Sequence, residues 1–174
     1  MIEELLQAVV FLENHLANKL GINEKVSLMG LSAGGHLALL ATSRIPERVK
    51  NVVAYYSPCD LLDIWHSASI FARFAAAATL KRLPTRAKDV YERYSPINNI
   101  AENYPPTLLV HGLKDSVVPY FSSVKMFKNL REKGLPAKLL LHPKGDHGFE
   151  FVLRDRKTVD IIEKTAQFLE GKLW

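Results

Sequence analysis

The sequence predicts an α/β domain built on a parallel sheet, and three observations carry that prediction. Short runs rich in Val, Leu and Tyr alternate with stretches whose apolar residues recur at helical spacing. Glycine or proline stands where the runs begin or stop. The intervening stretches are long enough to be the crossover helices that parallel strands require, so both faces of the sheet are expected to be covered.

The first element is an amphipathic helix: Ile2, Leu5, Val9, Leu12, Leu16 and Leu20 keep a 3/4 spacing, and Gly21 follows where a left-handed cap fits. Val26-Ser27-Leu28-Met29 reads as a short buried strand, and His36 to Ala41, directly after Gly34-Gly35, as a helix. Three more strands follow: Val49 to Tyr56, stopped by Ser57-Pro58; Thr107 to His111, after Pro105-Pro106; and Ala137 to Leu141, after Pro136. Between the last two, Val124, Phe127 and Leu130 keep helical spacing between Pro119 and Gly134. A final helix from about Asp155 places Val159, Ile162, Ala166 and Leu169 inward and ends at Gly171. Residues from about 66 to 104 break this rhythm. Ser67 to Leu80 is rich in Ala and Phe, Asp89 to Tyr94 makes a short second helix, and Ser95-Pro96 interrupts the chain, so the segment reads as a cap-like insertion outside the sheet.

Composition narrows the function. A chain of 174 residues, 48% apolar and 24% charged, can bury one sizeable core and is short for two. The net charge of +5 is spread over the chain and is densest at Lys81, Arg82, Arg86 and Lys88, a mildly basic surface that does not make a nucleic-acid groove. Met1-Ile2-Glu3-Glu4 is acidic where a signal peptide is basic, and Arg73 and Lys81 interrupt the longest apolar stretch, so no membrane span is expected. The single cysteine, Cys59, has no internal partner and reads as a small buried hydrophobe; the expected setting is the cytoplasm. With no phosphate loop and no dinucleotide glycine fingerprint, no cofactor is expected.

Gly30-Leu31-Ser32-Ala33-Gly34 matches G-x-S-x-G between a buried strand and an apolar helix, the setting in which this motif builds a nucleophile elbow. The turn is sharp enough to strain Ser32, and side chains at positions 30 and 34 are expected to collide with backbone. Ser32 then projects from a helix N-terminus, where the Ala33 N–H faces a developing oxyanion. A serine hydroxyl needs a base, and the base a carboxylate. In the order Ser, Asp, His, the candidates are Asp115, in the loop after Thr107 to His111, and His147, in the loop after Ala137 to Leu141. Asp60 and Asp63 compete for the carboxylate role but fit helix capping or the surface better. His36, one turn along the helix from Ser32, fits packing beneath the elbow, His111 fits a structural role, and Asp146 fits support of its loop. His142, Asp146 and His147 lack a metal-ligand spacing, so no metal is expected.

On the motifs Gly-Leu-Ser-Ala-Gly-Gly-His, Pro-Pro-Thr-Leu-Leu-Val-His-Gly-Leu-Lys-Asp-Ser-Val-Val-Pro and Gly-Asp-His-Gly-Phe, the chain resembles the C-terminal part of an α/β-hydrolase. It is similar to the acetyl-esterase and hormone-sensitive-lipase-like esterases and to prolyl-oligopeptidase-like enzymes. The resemblance implies a serine hydrolase with Ser32 as nucleophile, Asp115 as orienting acid and His147 as base. Prolyl-type peptidases usually carry Tyr after the serine. Ala33 stands here, as in the esterases, so a small-molecule carboxylic ester is the expected substrate, with a prolyl-oligopeptidase-like peptidase as the alternative. A non-catalytic hydrolase-like remnant, kept for interaction, is the alternative of another class.

The resemblance also implies a second oxyanion N–H from a His-Gly-Gly-Gly loop and four strands upstream. Residues 1–31 carry glycine only at Gly21 and Gly30. The expected fold is therefore a partial α/β-hydrolase of about four parallel strands, its edge at Val26 to Met29 open to a second copy or to a complementary N-terminal half. The insertion at about 66–104 is expected to cover the Ser32 pocket, with Trp65 and Phe74 binding substrate.

Overall fold

The computed structural model describes residues 2–21, 25–67 and 69–172. Its four strands, β1 (Val26–Leu31), β2 (Val49–Tyr55), β3 (Thr107–Gly112) and β4 (Ala137–His142), form one sheet in the order β1-β2-β3-β4. Every neighbouring pair is parallel, with Val52 opposite Leu28 and Thr107, and Leu109 opposite Ala54 and Leu139. Each strand runs to within two residues of its expected limits.

The strands sort their side chains by the two-residue period of the pleat. Val52 and Ala54 of β2 and Leu109 of β3 pack on one face against Ala38 and Leu39 of α2 (Ala33–Arg44) and against Met126 and Leu130 of α6 (Phe121–Glu132). Val53 and Tyr55 of β2 and Leu108 and Val110 of β3 pack on the other face against Ile161 and Phe168 of α8 (Arg156–Leu169). Burial of each such aliphatic side chain contributes roughly 1.5–3 kcal/mol. The two-faced cover explains why β2 and β3 read as continuous apolar runs.

Two helices differ from expectation. In α8 the buried residues are Thr158, Ile161, Thr165 and Phe168, whereas Val159 and Ile162 are each 47% exposed. The inward stripe is one position out of phase with the apolar pattern because its threonines find partners. Thr165 Oγ1 lies 2.6 Å from the Tyr55 hydroxyl and Thr158 Oγ1 3.2 Å from His142 Nε2. Helix α1 (Ile2–Leu20) buries only Val9, and Leu12 and Leu20 of its stripe stay exposed. It meets α2 and joins the body through an ion pair of Glu13 with Arg48 at 2.7 Å, contacts too few to cover the stripe.

After β2 the chain leaves the sheet for α3 (Leu61–Trp65), α4 (Ile70–Leu80) and α5 (Lys88–Arg93) before returning at β3. Asp60 caps α3 by accepting the Leu62 N–H at 2.9 Å, and Ser69 caps α4 through the Ala72 N–H at 3.2 Å. The short helix α7 (Phe149–Val152) follows the loop after β4. Among the described residues no helix is long and apolar enough to cross a membrane.

Candidate active site

Ser32 lies between the end of β1 and the first turn of α2, with φ 52° and ψ −121°. Such a conformation in a non-glycine residue costs of order 1–3 kcal/mol and persists only where its surroundings hold it. Here the Ser32 N–H donates to the Tyr55 carbonyl at 2.9 Å and the Ser32 carbonyl accepts the His36 N–H at 3.1 Å. The steric demand falls on Gly30 and Gly35, not on Gly30 and Gly34. A Cβ on Gly30 would overlap the Gly34 carbonyl and one on Gly35 the Ser57 hydroxyl, whereas Gly34 has nothing within 4 Å. The reason is that α2 begins at Ala33, so Gly34 faces out of the first turn and Gly35 faces the end of β2.

The loop after β4 brings His147 to this turn. Its Nε2 lies 2.9 Å from Ser32 Oγ, and its Nδ1 lies 2.9 Å and 3.2 Å from Asp115 Oδ2 and Oδ1. The two loops are fastened together by Asp146, whose Oδ1 accepts from the Ser116 N–H, the Ser116 hydroxyl and the His147 N–H at 2.7–2.9 Å. They also meet closely at Gly112, where a Cβ would overlap the Gly145 carbonyl.

Asp115 is fully buried at its side chain. Burial pushes its pKa up, but this is outweighed by hydrogen bonds from His111, His147 and the Val118 N–H, which hold the carboxyl well below the usual carboxylate range. Its Oδ1 accepts from the Val117 and Val118 N–H groups at 2.9 and 2.8 Å, and its Oδ2 faces His111 Nε2 at 3.2 Å. That nitrogen also lies 3.0 Å from the Val118 carbonyl, so with two acceptors before it Nε2 carries the hydrogen. His111 Nδ1 then accepts from the Ser123 hydroxyl at 2.7 Å. The partnership of His111 with Asp115 escapes sequence reasoning; its only trace is the four-residue spacing across a strand end.

The other candidates make their bonds outside this line. Asp63 is buried and bonded to Lys125 Nζ at 2.5 Å. His142 turns from the site to Asp155 and Thr158, each at 3.2 Å. His36 Nδ1–H donates to the Pro58 carbonyl at 2.8 Å, and burial pushes the pKa of the ring down. Cys59 is buried without exposure, its thiol pushed up to about 12 by desolvation.

A cavity of about 280 Å³ opens beside Ser32 and Ala33. Pro58, Leu61 and Ile64 form one wall and Phe71, Ala72, Ala75 and Ala76 of α4 another. At about 100° per residue these α4 positions share one helix face, and Phe74 lies off that face and is not among the residues that line the cavity. The structure therefore puts Phe71, rather than Phe74, at the cavity, and Trp65 is not among the residues that line it.

A parallel sheet carrying a strained serine turn, with Asp and His loops at the C-terminal strand ends, defines an α/β-hydrolase fold. The chain belongs to the prolyl oligopeptidase family, which it matches over residues 4–173. It is 29% identical over 163 residues to the esterase LipC of Mycobacterium tuberculosis, covering 83% of this chain and 39% of that protein. It is 24% identical to the acylamino-acid-releasing enzyme of Rattus norvegicus, covering 86% of this chain and 20% of that one. The fold superposes with a TM-score of 0.80 on a truncated carbohydrate esterase from gut microbiota, at 21% identity, over 98% of this chain and 67% of that one. The chain thus spans well under half the length of these two curated relatives.

Proposed function

We propose that this protein is a serine hydrolase that cleaves carboxylic esters through an acyl-enzyme on Ser32. The observation that carries the reading is the continuous hydrogen-bonded line from Ser32 Oγ through His147 Nε2 and Nδ1 to Asp115. In this mechanism Ser32 Oγ bonds to the ester carbonyl carbon as its proton passes to His147 Nε2. Asp115, ionised at neutral pH, holds Nδ1–H and stabilises the imidazolium. The oxyanion forms at the N-terminus of α2, where the Ala33 N–H has no acceptor within the helix. Collapse expels the alcohol with the proton from His147, and a water molecule repeats the sequence to release the acid.

Esters rank ahead of peptides because the cavity beside Ser32 is mostly apolar, with no Asp, Glu, Lys or Arg among the described residues that line it. Family membership favours a second reading, a serine peptidase, while the name of LipC is that of an esterase. The reading extends to a cytoplasmic setting, which a single buried free thiol fits. It extends also to a sheet continued beyond β1, whose outer edge has no strand partner among the described residues; a second copy or a complementary hydrolase half fits there.

The test is turnover of short p-nitrophenyl esters and of peptide anilides, with Ser32→Ala, His147→Ala and the double variant. Ester hydrolysis should fall by a large factor in each single variant and no further in the double one, as members of one unit fail together. Anilide turnover exceeding ester turnover would move the assignment to a peptidase. Equal rates in Ser32→Ala and the parent chain, with no labelling by an active-serine probe, would leave an interaction domain.

A further inference from the structure

The C-terminal end of β2 ties the nucleophile turn to the histidine loop. The Tyr55 carbonyl holds the Ser32 N–H, and the next residue, Tyr56, donates its N–H to the Val110 carbonyl at 2.6 Å. Tyr56 has φ 36°, in the left-handed region where an aromatic residue is an outlier. The surroundings must over-determine such a conformation for it to persist, and its result is the placement of the ring. That ring is 2% exposed, and its centre lies 4.5 Å from that of the His147 imidazole, the planes inclined at 57°. Tyr55 and Phe149 flank it edge-on at 6.0 and 6.4 Å.

His147 needs such a wall. The hydrogen bonds at Nδ1 and Nε2 fix two points of the imidazole, which leaves tilting about the line between them as the soft motion. The bonds of Asp146 hold the loop's backbone, including the His147 N–H, but none of them reaches the ring. The Tyr56 hydroxyl donates to Glu150 Oε1. Glu150 lies three residues beyond His147, on α7, so its grip on the hydroxyl fastens the segment that carries His147 to the same tyrosine whose ring backs it. The second oxygen of Glu150 is buried with no hydrogen-bond partner among the described residues, a state that costs free energy.

We propose that Tyr56 is a positioning residue: clamped by Glu150, its ring sets the tilt of the His147 imidazole so that Nε2 faces Ser32 Oγ. The proposal rests on the reading of His147 as the base and adds to it the group that holds the base in line. No substrate contact is assigned to Tyr56 or Glu150.

The test compares Tyr56→Phe, Glu150→Leu, Glu150→Gln, the double variant Tyr56→Phe/Glu150→Leu and His147→Ala in the full chain. The readouts are kcat and KM on a short p-nitrophenyl ester, the rate of Ser32 labelling by a fluorophosphonate, and melting temperature. Misplacement of a catalytic group by an ångström costs up to ~10²-fold. Tyr56→Phe and Glu150→Leu should therefore each lower kcat and the labelling rate about tenfold, with KM within about twofold. The double variant should be no worse than either single one, and Glu150→Gln, which keeps a carbonyl acceptor for the hydroxyl, should recover most of the rate. Parent-like kcat in Tyr56→Phe and Glu150→Leu, with His147→Ala inactive, overturns the proposal and leaves the mechanism standing. Losses that track melting temperature and add in the double variant overturn it in favour of a structural role. Full activity in His147→Ala overturns the mechanism and the proposal together.

Discussion

His111 Nε2 stands 3.2 Å from Asp115 Oδ2, the oxygen that His147 Nδ1 approaches to 2.9 Å. Two imidazoles thus share one carboxylate oxygen, and the buried one, His111, is itself anchored by Ser123 and the Val118 carbonyl. Under the proposed mechanism, Asp115 is aimed from behind by a group that never meets substrate. His111→Phe removes this support and leaves the Ser123 hydroxyl and one carboxylate site unpartnered in the interior. We expect a loss of about 1–3 kcal/mol in stability, as for any buried polar group left unmatched, together with a fall in kcat. Denaturant unfolding and ester kinetics on the same preparation check it; a variant with lowered stability and parent-like kcat would show that Asp115 needs no such brace.

The depressed pKa of Asp115 makes a pH-dependent contribution to folding. A carboxyl whose folded pKa is below its unfolded value of about 3.9 stabilises the protein fully above that value and loses the contribution as pH falls through the folded one. Asp115→Asn should therefore melt below the parent chain at pH 5 to 7, and the gap should narrow as the pH is taken below about 4. Thermal melts across that range decide; a gap that widens at low pH would contradict the assigned ionisation.

The cavity beside Ser32 offers a prediction on substrate length. Replacing Ala76 by Leu fills part of the α4 wall, and each methylene excluded is worth roughly 0.8 kcal/mol, about a fourfold step in kcat/KM. Ala76→Leu should shift preference toward shorter esters, whereas Phe74→Ala, off the cavity face of α4, should leave the profile as it is. A series of p-nitrophenyl esters of increasing acyl length reads both outcomes.

The two glycines after Ser32-Ala33 should behave oppositely. Gly35→Ala places a methyl against Ser57 and the Gly30 carbonyl, so it should destabilise the chain and remove active-serine labelling. Gly34→Ala meets open space in the first turn of α2 and, through higher helix propensity, should leave stability equal or slightly raised. Melting temperatures and probe labelling of the two variants distinguish them.

These elements show what a sequence discloses and what it withholds. The strands β2 and β3 were legible because burial on both faces leaves unbroken apolar runs, and the meeting of Ser32, Asp115 and His147 because each stands in a motif at a strand's end. The phase of α8 was not, since periodicity identifies a stripe of side chains but cannot tell that Thr158 and Thr165 will find partners on β4 and β2. The exchange of Phe74 for Phe71 at the cavity has the same origin: both lie on an apolar helix, and only the docking of α4 on α3 selects a face. The contact of Tyr56 with His147 depends on a backbone angle of a residue that reads as the last position of a strand.

Ser32 and His147 are 115 residues apart, with β2, β3, β4 and the helices between them. Closing a loop of that length carries an entropy that only the finished sheet offsets, and topologies dominated by distant pairings fold slowly. In refolding from denaturant, helical signal should return first, and reactivity of Ser32 toward a fluorophosphonate only once β4 has docked on β3. Under the proposed mechanism, competence for chemistry would then report the last step of assembly, and Ser32 of a nascent chain would stay unarmed until the residues through His147 were available.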